Sequence, residues 1–455
     1  MAATFPGVIA FAFMVSLILT GVGLRARFTW IQSALVPASL IAGLLGFALI
    51  NLDLSFGLIN SDFTVFAFHC FTLSFMSLVL TGSDPRVDKA PSVVAGGSWL
   101  AVIWVMSLVM QAMVGLVVIV LYNYLTGGDL SYFLGMIATH GFTQGPGQAL
   151  ALGGIWESAL GIQHAVDFGL IYASAGFLVA FVVGVPMARQ AIRRGSHANK
   201  TARIDEEFLK GIMQPASKVS AGTQVTHAAN VDSLTFHLAI LGLAYVLTDQ
   251  YLAFIQPFAN TWQLGGVNLG LIFSHNLFFF HGLIVCVLLR AGIDRLGWGH
   301  LIDNDTQKRI TGTSVDLMVV ATLMSIQFSL LSAYLLPIIL TCVAIAVTTA
   351  LLCFGFARRL KNYSVERAVT IFGCCTGSTG SGLLLLRILD PDLSTPIAKE
   401  LAFFNVAILV LGFHILTLMA PVLPSFGLGT ISLVYIGTFL AGAIALTVMT
   451  RRSLV

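Results

Sequence analysis

Eleven apolar runs of membrane-spanning length divide the chain, near 6–24, 32–50, 62–82, 98–121, 165–188, 233–254, 266–290, 313–332, 334–356, 398–420 and 427–450. About 20 helical residues cross a bilayer core, so each run is read as one transmembrane helix. The polar segments between them then sort by charge. With the N-terminus outside, the inner segments hold Arg25, Arg27, Arg86, Lys89, the seven basic residues of Arg189–Asp232, Arg290, Arg295, Lys308 and Arg309. They also hold Arg358, Arg359, Lys361, Arg367, Arg387, Lys399, Arg451 and Arg452, which completes all 23 Lys and Arg residues. The outer loops carry acids such as Asp53, Asp129 and Asp249. Basic residues accumulate on the cytoplasmic side, and one missed span would scramble this pattern. Charged residues make up only 9% of the chain, far below the roughly 25% of a soluble domain. A β-barrel would instead show short alternating segments, and a net charge of +3 gives no reason to expect a nucleic-acid partner.

Two apolar stretches resist this simple reading. Thr370–Pro391 has at its centre Thr376-Gly377-Ser378-Thr379-Gly380-Ser381-Gly382, three glycines and four hydroxyls in seven residues. Glycine loosens a helix, and Ser and Thr compete for its backbone hydrogen bonds. The stretch is too short to cross twice and too polar to face lipid, so it reads as two half-helices of about eight to ten residues meeting at an unwound tip. An echo lies half a chain earlier, in IATHGFTQGPGQALALGGIW (Ile137–Trp156). A weaker echo, LSFMSLVLTGSDP (Leu73–Pro85) and VVATLMSIQFSLL (Val319–Leu331), precedes the two hairpins in matching positions. Interrupted segments at corresponding places in two halves point to the binding site of a secondary transporter.

The expected fold is therefore an all-α polytopic membrane protein with two inverted-topology repeats of about five transmembrane helices, each carrying a re-entrant hairpin. Repeat one covers 1–189 with its hairpin near 133–157, and 190–231 is a cytoplasmic linker. Repeat two covers 232–420 with its hairpin near 367–390, and 421–455 is an extra C-terminal helix. The first hairpin enters from outside and the second from inside. Met1–Thr20 lacks a basic n-region, so it is read as a first span and not as a cleaved signal.

A half-helix that begins at mid-membrane exposes unpaired N–H groups and suits an anion. Unwound carbonyls and hydroxyls suit a hard cation. The substrate-binding candidates are Thr139, His140, Gly141, Thr143, Gly145, Gly147 and Gln148 in the first hairpin, with Gln144 beside them. Gly377, Ser378, Thr379, Gly380 and Ser381 are their counterparts in the second. Thr376, Ser378, Thr379, Thr143 and Ser325 are the candidates for Na⁺. A simpler reading is that the glycines only let helices pack closely. Asp62, Asp232 and Asp316 fall near expected helix starts and read as caps, which leaves no mid-span acid and favours Na⁺ over a proton. His140 touches the site or is structural. Arg387 pairs with a substrate carboxylate or anchors the hairpin at the interface. Cys70, Cys286, Cys342, Cys353, Cys374 and Cys375 show no metal spacing and read as small buried hydrophobes. No catalytic motif stands out, so an enzyme is not expected, and no cofactor beyond Na⁺ as coupling ion is expected.

Thr139-His140-Gly141-Phe142-Thr143, Gly184-Val185-Pro186-Met187-Ala188-Arg189 and the Thr376–Gly382 tip together resemble the bacterial sodium/glutamate symporter family, with a similar layout over most of 1–420. The chain departs from the family at Gly145-Pro146-Gly147, at the Ser-Thr-Gly-Ser of the second tip, and in its last helix. The resemblance implies Na⁺-driven uptake of L-glutamate or a similar small anionic carboxylate. It also implies an elevator motion, a homodimer, and the bacterial inner membrane with the C-terminus cytoplasmic. A proton- or Na⁺-coupled carrier of another organic acid is the alternative. A channel would need a continuous polar pore, which is not evident.

Overall fold

The runs form helices because they are almost uninterrupted Leu, Ile, Val, Ala and Phe, and they stop where caps or breakers intervene. The computed structural model describes residues 5–81, 91–200, 205–215, 220–264, 267–391 and 393–451. Arg86, Lys89, Arg203, Lys218 and Arg452 of the charge pattern lie outside these described residues. The helices of the first half are α1 (Pro6–Arg27), α2 (Thr29–Ala34), α3 (Ala38–Asn51), α4 (Ser61–Leu80) and α5 (Pro91–Thr126). They continue with α6 (Phe133–Met136), α7 (Ala138–Phe142), α8 (Pro146–Leu160), α9 (Ala165–Arg193) and α10 (Glu206–Lys210). In the second half come α11 (Ser233–Ala259), α12 (Phe278–Arg295), α13 (Asn304–Met324), α14 (Phe328–Ala333) and α15 (Leu335–Ala357). Then follow α16 (Ser364–Thr376), α17 (Thr379–Leu389), α18 (Ile397–Leu411) and α19 (Leu428–Arg451).

Among the described residues, eight helices are long and apolar enough to cross a membrane, or nine when α18 and its 47° continuation His414–Ser425 count as one span. That is fewer than the eleven apolar runs: besides the bend after α18, two runs fall short for local reasons. The α3 helix has only 14 residues. The α13 helix begins with the polar turn NDTQKR, where the Asp303 carboxylate accepts from Thr306 N at 2.8 Å and caps the helix. The run near 266–290 keeps a span, His275–Arg295, but becomes α-helical only at Phe278, because Asn268 Oδ1 accepts from Gly270 N at 2.8 Å and starts a 3₁₀ turn. A two-stranded antiparallel ribbon, Gln263–Leu264 with Val267–Asn268, sits just before it in an otherwise all-helical chain.

The early start of α13 corrects one expectation. Asp316 is not near a helix start; it lies in the middle of α13 and faces Ser39 of α3. Asp232 does cap its helix, accepting from Leu234 N at 2.8 Å, and Asp62 accepts from Ile59 N at 2.9 Å.

The chain divides into two compact units, and each draws on both halves of the sequence. Unit 1 holds most of α1 with α3, α4, α11, α12 and α13. Its core clusters Met76, Leu80, Leu241, Ala244, Cys286 and Ile310. Ser77 donates to Gln307 Oε1 at 2.6 Å, and Gly282 leaves room for the Met76 sulfur, so α4 packs closely on α12 and α13. Unit 2 holds α2, α5–α10 and α14–α19. Its centre is α5 and α9, whose apolar windows are 61% and 72% buried, and both interrupted stretches pack around them. These spatial units cut across the sequence segments 1–189 and 232–420, since each combines helices from both.

Candidate functional site

Each interrupted stretch breaks where its sequence cannot hold a helix. In the first, α7 ends at Phe142, and Gly145 adopts φ 89°, a conformation that L side chains rarely take. Pro146 then opens α8, the position where a missing N–H costs nothing. In the second, α16 ends at Thr376, Gly377 departs from helical geometry, and Ser378 is extended. The Ser378 hydroxyl caps α17 by accepting from Ser381 N at 3.3 Å. The α16 and α17 arms fold back on one another so closely that a Cβ on Gly373 would lie 2.8 Å from the Gly382 Cα. The α8, α16 and α17 arms run 15, 13 and 11 residues, longer than the eight to ten expected.

The two breaks adjoin inside unit 2. A Cβ on Gly145 would sit 3.7 Å from the Gly377 carbonyl oxygen. Thr143 Oγ1 donates to the Cys375 carbonyl at 3.2 Å and to Gln111 Oε1 at 2.7 Å. The Gln111 amide donates in turn to the Cys375 carbonyl at 2.9 Å and approaches Thr349 Oγ1 and Ser107 Oγ, each at 3.0 Å. From the other side α9 presses in: a Cβ on Gly176 would lie 2.2 Å from the Thr376 carbonyl oxygen. The junction is thus a knot of neutral oxygens and amides held by three helices.

The other sequence candidates take distinct places. His140 is fully buried, its Nδ1 donates to Gln144 Oε1 at 2.5 Å, and its Nε2 has no partner. Its ring stands edge-on to Trp156 at 6.0 Å. Thr139 Oγ1 donates to the Leu108 carbonyl at 2.7 Å, and Gly141 packs against the α9 backbone, where a Cβ would meet Ala173 N at 2.7 Å. Gly147 and Gln148 form the first turn of α8, and Gly147 is buried. Thr376 Oγ1 returns to the Phe372 carbonyl at 2.8 Å, while Thr379 Oγ1 donates to Asn405 Oδ1 at 3.1 Å. Gly380 is exposed, with only Ser378 Oγ near the position of a Cβ, whereas Ser381 is buried. Ser325 belongs to unit 1, where its hydroxyl donates to Thr322 O at 2.7 Å. Arg387 is exposed on α17.

Gln111, Ser107 and Thr349 were not singled out from the sequence. The available signal was Gln111 itself, an amide in the middle of an apolar span, where an unpaired polar group is costly. Every buried charged side chain described in unit 2 is also already engaged. Arg367 and Glu400 form a two-bond ion pair at 2.8 and 2.6 Å, with Gly96 of α5 leaving room for the carboxylate and Gly97 for the Glu400 backbone carbonyl. Glu366 accepts from Ala198 N at 2.6 Å, and Asp390 accepts from Thr395 Oγ1 at 2.6 Å and from Asn199 Nδ2 at 2.9 Å. Linker residues 198 and 199 therefore clasp both feet of the second interrupted pair. No group of three or more His, Cys, Asp or Glu side chains suited to a metal occurs among the described residues.

The arrangement can hold an anion and a hard cation side by side. The first N–H groups of α8 and α17 have no helical carbonyl to meet, and they lie beside the carbonyls and hydroxyls of the breaks. As a class, a chain of long apolar helices with polar backbone buried at its centre is a multi-pass membrane protein. Residues 4–383 match the family model described as the sodium/glutamate symporter, so the chain belongs to the sodium/glutamate symporter family. That is a family of transporters, in which Na⁺ is the coupling ion and glutamate the substrate. No individual curated protein matches the chain.

Proposed function

We propose that this protein carries L-glutamate, or a similar small anionic carboxylate, together with Na⁺ by alternating access. The observation that carries the reading is the neutral junction of the two helix breaks. An anion there meets α8 and α17 N-termini and hydroxyls instead of a cationic side chain, because the buried Arg367 already serves Glu400. Substrate carboxylates face the N–H groups of Gly147, Gln148, Thr379 and Gly380, with Thr139, His140, Gly141, Gly145, Gly377, Ser378 and Ser381 shaping the site. Na⁺ takes oxygen from Thr143, Thr376, Ser378 and Thr379. Ser325, the fifth Na⁺ candidate, lies in unit 1 and is given no role at this junction. Each net charge carried with the ion links uptake to membrane potential at about 2.3 kcal/mol per 100 mV.

In this reading the interrupted pairs are re-entrant hairpins and the chain is an inverted repeat. The order helix, interrupted pair, helix recurs as α5, α6–α8, α9 and as α15, α16–α17, α18, which supports it. The hairpin-bearing unit 2 is the moving part of an elevator in a homodimer of the bacterial inner membrane, with the C-terminus cytoplasmic. Asp316 favours one rival, a carrier coupled to protons, since an acid within a membrane helix suits a proton pathway.

The deciding experiment is uptake of labelled L-glutamate, and of a panel of other carboxylates, into proteoliposomes. An inward Na⁺ gradient should drive glutamate accumulation, and choline in its place should abolish it. Full accumulation driven by a pH gradient without Na⁺ would transfer the role to Asp316 or His140.

A further inference from the structure

An open cleft of about 610 Å³ runs between α2, with Val36 beyond it, and the C-terminal part of α9, entirely within unit 2. Its α9 wall changes character along the helix. Phe181, Val185, Arg189 and Arg193 follow one another at four-residue spacing, so they form a single stripe about 18 Å long. The first half of the stripe is apolar and the second half is cationic. Val182, which is 70% exposed, widens the apolar end, and Gln190 adds an amide at the cationic end.

The two arginines differ from their neighbour. Arg25, at the same end of the unit, donates to the Phe208 carbonyl at 2.8 Å and to Leu209 O at 3.2 Å, so it braces the linker. Arg189 and Arg193 have no hydrogen-bond or ion-pair partner among the described residues. Trp30 on α2 is 68% exposed, as expected for a short helix lying at a membrane interface. A soluble anion would leave the apolar half of the cleft empty, and an uncharged lipid would leave both guanidinium groups unmatched.

We propose that this cleft binds one anionic phospholipid from the leaflet facing the basic ends of the chain. Its phosphate sits between Arg189 and Arg193, and its acyl chain runs along the exposed Val182 and Pro186, above the buried Phe181 and Val185. The site is separate from the junction of the helix breaks and does not depend on which substrate is carried. It fits the general pattern in which basic pockets between membrane helices take lipid headgroups.

The test compares phosphatidylglycerol, phosphatidylcholine and soluble glycerol 3-phosphate added to the purified protein in detergent, read by thermal unfolding and by native mass spectrometry. Phosphatidylglycerol should raise the unfolding temperature and leave one retained lipid, while the other two probes do neither. Both effects should vanish in R189Q/R193Q and survive in R189K/R193K, which keeps the charges. In Val182→Trp both arginines remain and the apolar end is filled, so retention should also be lost; this variant guards against misfolding of the arginine pair. Equal stabilisation of wild type and R189Q/R193Q by phosphatidylglycerol would overturn the proposal. So would glycerol 3-phosphate matching the lipid, which would make the cleft a soluble-anion site.

Discussion

Units 1 and 2 are built from the same kinds of apolar helix, yet among the described residues both of the glycine-interrupted helix pairs fall in unit 2. In unit 1 the long helices α1 and α11 have just 22% of their apolar windows buried, and α12 has 33%. Such helices must keep every backbone hydrogen bond within themselves, because lipid offers no substitute. In unit 2, α5 and α9 are mostly buried, and the freed groups around Thr143, Cys375 and Thr376 meet Gln111 and one another. The difference teaches that burial comes first. A polar break becomes usable for binding only where a shell of intact helices removes it from lipid.

The sharpest way to break this comparison is to fill one glycine in each unit. Gly176→Val in α9 would drive a side chain into the Thr376 carbonyl, only 2.2 Å from the ideal Cβ. It should abolish uptake and substrate-induced thermal stabilisation. Gly242→Ala in α11 has open space around the new methyl, and it should leave uptake intact and stabilise by up to about 1 kcal/mol through helix propensity. Equal damage from both would show that the units do not differ as described. Next in size is Gln111→Leu, which leaves Thr143 and the Cys375 carbonyl without their amide partner. An unmet buried group costs about 1–3 kcal/mol, so the variant should fold with a lower melting temperature and need several-fold more Na⁺ for half-maximal uptake. Unchanged Na⁺ dependence would make Gln111 a packing residue.

Smaller effects sharpen the contrast. Asp316→Asn in unit 1 should preserve Na⁺-driven uptake within about twofold; loss of uptake, with its pH dependence altered, would support the proton-coupled rival. Asp390 lies in the connection after α17. Burial alone would raise its pKa, but hydrogen bonds from Thr395, Asn199 and Ser394 outweigh this and hold it down at about 2. Its folded-state value is below the roughly 3.9 of an unfolded Asp, so its stabilisation is present above about pH 4 and is lost as pH falls through about 2. Melting curves should therefore show wild type above Asp390→Asn at pH 5, with the gap closing toward pH 2. A gap independent of pH would mean that the charge is not what matters there.

Much of this was legible in the sequence, and the pattern of what was not is physical. Both breaks could be read because their causes are local: Gly145-Pro146 fixes one and Gly377-Ser378 the other. The apolar runs were legible too, although Asn268 and Asp303 shift where helices begin, since a single capping side chain outweighs the hydropathy of the residues around it. That shift is what misplaced Asp316. The Gln111 bridge, the Arg367–Glu400 pair and the clasp of Asn199 on Asp390 were not legible. Their partners are 33 to 264 residues apart, and neither residue alone reveals the other.

The Thr143–Cys375 contact joins residues 232 positions apart, and this has a consequence for how the protein is made. At about 5–20 residues per second, roughly 12–46 s pass between synthesis of the first tip and arrival of the second. Through that interval Thr143 and Gln111 lack the carbonyl that will later satisfy them, inside a membrane that supplies no water. Until then Thr143 and Gln111 have only each other and Ser107 as partners, and the hydrogen bonding of the first tip is complete only when the Cys375 carbonyl arrives.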